Sequence, residues 1–318
     1  MWWQLKGVVI SNTYALTLLQ VIMEERGVVV TLLGIAQDGG RPQAGCKKDC
    51  CLPAYEDPSL VRRPVSLGIV GLDKSSHLFD VTRELAWQLD CWSNVGSFEG
   101  TLDSVWITHA HQGHVDGLGL FGRESIAAQN LALHCSSSFT ELMQKTPAWK
   151  AMLDQGVLDL NSFESSQIIS PTAECGFTVQ PILIPHRDEL SDTHAFLVRG
   201  PKESLLYMPD HDSWSETLAM TDAEDIRSWF HSLEVGTVLL DGTFWSDDEL
   251  ENRDQQVVPH PPIVDTINSL GTRQDGDPRI VFIHLNHTNP LHDPVSEQSV
   301  KVADFGWEIG SEGMLFLL

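Results

Sequence analysis

Between positions 104 and 117 the chain reads SVWITHAHQGHVDG, an apolar run that ends on three histidines within six residues. No other stretch restricts the fold as strongly, because imidazoles gathered this densely need a rigid base and a common target. SVWIT has the character of a buried strand, and a strand is a stiff platform from which a loop can hold side chains in place. His109 and His111 lie two residues apart, so an extended backbone turns both rings to one side. After a turn at Gln112-Gly113, His114 comes round to the same point. Three such imidazoles, followed by Asp116-Gly117, have the donor chemistry of a divalent metal site. Gly113 is the one member of the motif that can ligate nothing.

Other apolar runs end in the same way. PILIPH closes on His186, LLYMPDHD on Asp210 and His211, VLLDGTFW on Asp241, and IVFIHLNH on His284 and His287. Taken singly, each has a plain structural role, since a histidine or aspartate after a strand can start or cap a turn. Taken together, the strand ends supply the several nitrogen and oxygen donors that a hard or borderline divalent ion requires.

Apolar periodicity predicts strands over 28–35, 66–70, 77–79, 104–108, 131–134, 182–184, 194–198, 204–207, 238–240, 280–284 and 314–318. Helices are expected over 83–89, 124–129, 138–145, 149–155, 222–232 and 262–270, the last with Pro262 at its start and Gly271 just past its end. Strands and helices interleave along the chain, which predicts an α/β fold with helices covering sheets. At 318 residues there is material for one large core, so residues 28–318 are expected to form a single domain. Residues 1–27 are set apart as an N-terminal extension. Lys6 makes a poor signal-peptide n-region, Ser11, Asn12 and Thr13 break the apolar run, and Glu24-Glu25 sits where a cleavage site should be. Met23 directly precedes the first predicted strand.

Composition narrows the function classes. A net charge of −24, with no run of lysine and arginine, argues against a nucleic-acid partner, because phosphate contacts dominate that affinity. Hydrophobic content of 42% with 20% charged residues fits a globular chain with no membrane span. A small-molecule substrate is the expected partner; the oligomeric state, a homodimer included, stays open. Six cysteines include the cluster GCKKDCC, whose adjacent Cys50 and Cys51 fit poorly into a disulfide framework, so a reduced, cytoplasmic setting is expected. Cys46, Cys50 and Cys51, with Asp49 or a distant side chain, suit a structural zinc clip; free thiols in a loop are the alternative.

With THAHQGHVDGL, PILIPH, LYMPDHD and FIHLNHTNP in this order, the chain resembles the metallo-β-lactamase superfamily. LLGIAQDGGRPQAGC, HLFDVT, DGTFWSDDEL and FIHLNHTNP resemble, more narrowly, the pyrroloquinoline quinone biosynthesis protein B (PqqB) family over roughly residues 28 to 318. The resemblance implies a four-layer αββα sandwich with metals at the shared sheet edge. It implies His109, His111 and His186 as ligands of a first metal, and His114, Asp210 and His284 as ligands of a second, Asp210 bridging the two. Gly113 stands where the superfamily carries the second site's aspartate, which implies a weakened second position. His211, His287 and Asp116 are candidates to compensate.

The expected chemistry depends on the ion, one or two per chain. Zn²⁺ supplies Lewis acidity and an acidified water for attack on an ester, phosphodiester or related substrate. Asp210 would then hold or deprotonate the water, and His287 or His211 would protonate the leaving group. Fe²⁺ at a histidine-rich site would instead suit an oxygenase in quinone cofactor biosynthesis, Mn²⁺ is a further option, and a non-catalytic metal-binding carrier is the reading outside enzymes. Trp214, Phe244 and Trp245 are candidates to line a pocket, and Arg187 and Arg123 to hold an anionic substrate.

Overall fold

The computed structural model describes residues 4–5, 8–9, 27–249 and 258–318. The extension expected over residues 1–27 lies almost wholly outside the described residues; within it, β1 (Gln4–Leu5) pairs antiparallel with β2 (Val8–Val9).

Thirteen further strands make two sheets. The first contains β3 (Val29–Gly34), β4 (Ser66–Val70), β5 (Ser76–Phe79), β6 (Ser104–Trp106), β7 (Leu131–Ser136), β8 (Leu158–Phe163) and β15 (Leu315–Leu317), in the order β15-β3-β4-β5-β6-β7-β8. The second contains β9 (Thr178–Ile184), β10 (Thr193–Arg199), β11 (Ser204–Met208), β12 (Thr237–Asp241), β13 (Arg279–Ile283) and β14 (Glu308–Ile309), in the order β14-β13-β12-β11-β10-β9. Strands such as TVLLD in β12 are buried along their whole length, so the sequence reads as a continuous apolar run rather than an alternation.

The sheets pack face to face. Leu32, Leu67, Phe79 and Trp106 from the first share one core with Phe196, Leu206, Leu239 and Phe282 from the second. Phe79 meets the Phe196 ring edge-on at 5.3 Å across this interface, and Trp106 meets it at 5.9 Å. On the outer face of the first sheet, Leu78, Val105 and Leu133 pack with Trp92 of the helix Leu85–Val95 and Phe139 of the helix Ser137–Lys145. Phe230 of the helix Ile226–Ser232, Ile267 of Ile263–Leu270 and Val302 of Glu297–Asp304 belong to the core of the second sheet. The result is the expected four-layer αββα sandwich.

Strand direction decides where chemistry can collect. β5 and β6 run parallel, and β3 shares their direction through two antiparallel steps over β4. β11, β12 and β13 run parallel, and β9 shares their direction through two antiparallel steps over β10. Within each sheet these carboxyl ends therefore emerge on one edge. Asp38, Asp80, His109, His186, Asp210, Asp241 and His284 all follow such ends. The two edges are stitched together, because the Leu285 amide donates to Ile35 O at 2.8 Å and the His194 amide to Thr108 O at 3.0 Å.

The structure differs from expectation in a few elements. Residues 124–129 form turns rather than a helix, with Ala127 and Asn130 in the left-handed region at φ 56° and 50°. β8, an edge strand with its middle residues partly open, and the helices Trp214–Thr221 and Glu297–Asp304 were not predicted. Among the described residues no helix is long and apolar enough to cross a membrane.

Candidate metal centre

Three imidazole nitrogens meet first. His111 Nδ1 lies 2.8 Å from His109 Nε2 and 3.1 Å from His186 Nε2. What lies between them follows from the opposite ring atoms. His186 Nδ1 sits 2.8 Å from Asp212 Oδ1, a carboxylate that can only accept, so the proton is on Nδ1 and Nε2 carries a lone pair. His111 Nε2 faces Glu189 Oε1 at 3.3 Å with the same consequence for Nδ1. Thr108 Oγ1 donates its single proton to Asp80 and so accepts from His109 Nδ1 at 3.0 Å, which leaves the lone pair on His109 Nε2. Three lone pairs converging in a buried place repel one another unless a cation stands among them. Donors on a tetrahedral zinc are about 3.3 Å apart, close to the spacing seen here.

A second group adjoins the first. His114 Nδ1 donates to Asp80 Oδ2 at 2.9 Å, and His284 Nδ1 donates to Thr243 Oγ1 at 2.8 Å, itself bonded to Asp241 at 2.7 Å. Both Nε2 atoms therefore face inward, and both are buried without a hydrogen-bond partner. Asp210 lies between the groups: Oδ2 is 3.2 Å from His114 Nε2, and Oδ1 is 3.7 Å from both His186 Nε2 and His284 Nε2. The expected ligands of both positions, six residues from the loop after β6 and the ends of β9, β11 and β13, thus come together. Two backbones there are strained, Asp80 at φ 58° and His284 at φ 60°, as befits residues held by their surroundings rather than by their own preference.

Electrostatics agree with an assembled site. Burial, reinforced by the His114 charge, pushes His109 well below the usual imidazole range, and burial with the neighbouring His186 brings His111 down to about 4. Burial works to raise Asp210, but His284 and His114 outweigh it and hold the carboxyl well below its usual value. For His114, burial is overcome by Asp80 and Asp210, which hold it well above its usual value. Without a metal, a proton on His114 partly answers the negative charge of the carboxylates.

Several expectations need correction. His287, expected as a proton donor, is elsewhere: its Nδ1 lies 3.4 Å from both Cys50 Sγ and Cys51 Sγ. The alternation of a strand end misleads here, because the chain turns after Asn286. His211 is fully buried behind Asp210, with Nδ1 3.1 Å from Thr217 Oγ1 and the ring against Trp214; burial brings it down to about 4, so it is a poor proton donor. Asp116 does not lean in, since it pairs with Arg83. Arg123 donates to Gln155 O, away from the centre, whereas Arg187 faces Glu189 at 3.8 Å beside His111. Trp214 donates to Thr266, Trp245 lies under Lys301, and Phe244 is buried near His260.

Other residues were not foreseen. His260 is buried with Nδ1 2.7 Å from Asp241 Oδ2, and its ring lies 5.4 Å from His186 and 5.7 Å from His284. Burial works to lower its pKa, but Asp241 prevails and raises it. Asp80 accepts from the Thr108 amide, Thr108 Oγ1, His114 and Tyr207. Asp38 also enters, with Oδ1 3.5 Å from both His114 Nε2 and His284 Nε2. HLFDVT and AQDGG each showed an aspartate just past a strand, which was the available signal for Asp80 and Asp38. His260 follows no strand and gave none.

The cysteine cluster is a separate place. Cys46 Sγ is 3.7 Å from Cys50 Sγ, which is 4.0 Å from Cys51 Sγ, and His287 completes a group of four. Sulfur ligands on a tetrahedral zinc are about 3.8 Å apart, so the four donors fit a Cys₃His site. Burial and the neighbouring Cys46 push Cys50 up to about 12. All six cysteines are free.

The model of the beta-lactamase superfamily domain matches residues 93–295. Coenzyme PQQ synthesis protein B of Xanthomonas campestris pv. campestris is 26% identical over 311 residues, covering 90% of this chain and 98% of that one. Zinc-bound PqqB from Methylobacterium extorquens superposes with a TM-score of 0.75 at 20% identity, covering 91% and 100% of the two chains. A diphosphatase of the PhnP family superposes with a TM-score of 0.61 at 17% identity, covering 92% and 97%.

Proposed function

Because the chain belongs to the beta-lactamase superfamily and is PqqB-like, we propose that it is a metal-dependent hydrolase acting on an ester, phosphodiester or related small molecule. The observation that carries this reading is the convergence of three imidazole lone pairs, His109 Nε2, His111 Nδ1 and His186 Nε2, beside the Asp210 carboxylate. These four residues would hold the first ion, and zinc in the PqqB of Methylobacterium extorquens supports that choice. A divalent ion there supplies Lewis acidity and an acidified water.

The protein's own groups supply the rest. Asp210, kept ionised by His284 and His114, accepts the proton of the attacking water at a carboxylate oxygen. His260, held through Nδ1 by Asp241, takes the proton-donor role first expected of His287 and His211. Glu189 and Asp212 fix the rings of His111 and His186, so the donors need no rearrangement on binding. Cys46, Cys50, Cys51 and His287 would hold a structural zinc that ties the 43–52 loop to the end of β13.

The relatives' role in coenzyme PQQ synthesis favours a second reading, an iron-dependent oxygenase in the making of such a cofactor. Elemental analysis of the natively purified protein, combined with ester and phosphodiester hydrolysis and oxygen-uptake assays, separates the two. Zinc or manganese at the histidine centre with metal-dependent hydrolysis is expected, and His260→Gln should slow turnover about 10²-fold with metal content unchanged. Iron with substrate-dependent oxygen uptake would replace the hydrolase, and metal confined to the cysteine cluster would sink both enzymes.

A further inference from the structure

Gly113 is buried, and a side chain there has nowhere to go. A Cβ built on it would fall 2.1 Å from Asp38 Oδ1 and 2.5 Å from both Asp38 Cα and Cγ. The space that an aspartate at 113 would fill is taken by an aspartate from another loop. Asp38 Oδ1 stands 3.5 Å from His114 Nε2 and 3.5 Å from His284 Nε2, two buried nitrogens with no hydrogen-bond partner. Both rings are 1% exposed, while 36% of the Asp38 side chain is exposed. Asp210 closes the group at 3.2 Å from His114 and 3.7 Å from His284. Nitrogen and oxygen donors on a tetrahedral ion are about 3.4 Å apart, within the range of these separations.

The loop that brings Asp38 in is fixed at both sides. The Gln37 amide donates to Leu285 O at 2.9 Å, next to His284, and the Gly40 amide returns to Gln37 O at 2.8 Å with Gly40 at φ 66°. Asp38 is therefore set against the end of β13 by backbone bonds rather than leaning in from solvent.

We propose that Asp38 and Gly113 are a swapped pair. The carboxylate absent from the HxHxxH motif is supplied by the loop after β3, and Asp38, His114, His284 and Asp210 form a second divalent-cation position sharing Asp210 with the first. This deepens the metal-centre reading and rests on it. The second position has two carboxylates and two imidazoles, a harder donor set than the three imidazoles and one carboxylate of the first, and takes Mn²⁺, Fe²⁺ or Zn²⁺. Gly113→Asp alone would not restore the motif, because the new side chain would collide with Asp38.

Manganese is the probe, because its preference for oxygen and nitrogen keeps it off the thiols. The full chain is stripped with a carboxylate chelator, reloaded with Mn²⁺, counted by elemental analysis and examined by electron paramagnetic resonance. Wild type should bind two Mn²⁺ per chain as a magnetically coupled pair. Asp38→Ala and the isosteric Asp38→Asn should each bind one, with an uncoupled six-line signal. Coupled pairs in both variants, or a wild type that binds only one ion, would each overturn the swap. A wild type that binds no Mn²⁺, Zn²⁺ or Fe²⁺ outside the thiols would instead remove the metal centre itself. Circular dichroism of each variant separates ligand loss from unfolding, and a folded Asp38→Asn suffices for the decision.

Discussion

At the strand-end centre each imidazole ligand is steadied from behind by an oxygen of the protein, whereas the thiols of Cys46, Cys50 and Cys51 lean mainly on one another, on His287 and on the Gln43 amide. The first group draws its donors from several strands of two sheets. The second takes three of four from one short loop. The difference teaches what holds each place together without its ion. Asp80, Asp212, Thr108 and Thr243 fix rings and tautomers from rigid strand ends, so the histidine centre is organised by the fold. Burial pushes Cys50 up to about 12 and raises Cys51, so these two thiols hold their protons until a metal displaces them, and there the ion organises the loop.

That contrast can be broken at either end. The largest effect is expected from His111→Ala, which removes the nitrogen facing both His109 and His186: metal at the centre should be lost and kcat/KM should fall about 10³-fold or more, with the melting temperature nearly unchanged. Activity and metal content at wild-type level would dissolve the centre as assigned. Cys50→Ser should do the reverse, lowering the melting temperature by roughly 5 to 10 °C while the histidine centre keeps its ion. A melting curve unchanged in chelator would show that the thiols hold no structural metal.

A smaller effect sharpens the claim that the histidine centre is held from behind. Asp80→Asn preserves shape, and asparagine tolerates the positive φ, but His114 loses its carboxylate; metal affinity should drop about 10- to 100-fold. Equal affinity by isothermal titration would mean that His114 is oriented by packing alone.

The smallest effect lies away from both sites. His77, buried between Ser75 and Ser104, and His134, stacked on Trp106, are each brought down to about 4 by burial. In the unfolded chain they titrate near 6.5, so the unfolded state takes up protons first as pH falls. Stability should be full above about 6.5 and decline down to about 4, with a slope of up to two protons from this pair. His134→Phe, which keeps the stack, should remove one proton from that slope in denaturant titrations at stepped pH.

Much of this was legible in the sequence because the signals were local. Buried strands read as continuous apolar runs, and the histidines and aspartates that follow them mark the edge at which parallel strands end. His287 shows the limit: it sits three residues past His284 in one motif, yet a turn carries it to the thiols. His260 shows the other limit, since it lies between Asp241 and His284 in the chain but in no pattern that periodicity detects. Edge strand β8 and the helix Trp214–Thr221 went unread because partial burial demands few apolar residues.

The sequence by itself determined an α/β chain whose strand ends carry histidines and aspartates, since hydrophobic periodicity and the donor chemistry of side chains are properties of short stretches; the αββα sandwich and the six candidate donors were read through the family resemblance. Only the tertiary structure decided which atom of each ring points inward, that His260 joins the centre while His287 leaves it, and what fills the space beside Gly113. Those depend on contacts between strands far apart in the chain, such as Asp38 against His114 and His284, and distance in space is not written in distance along the sequence.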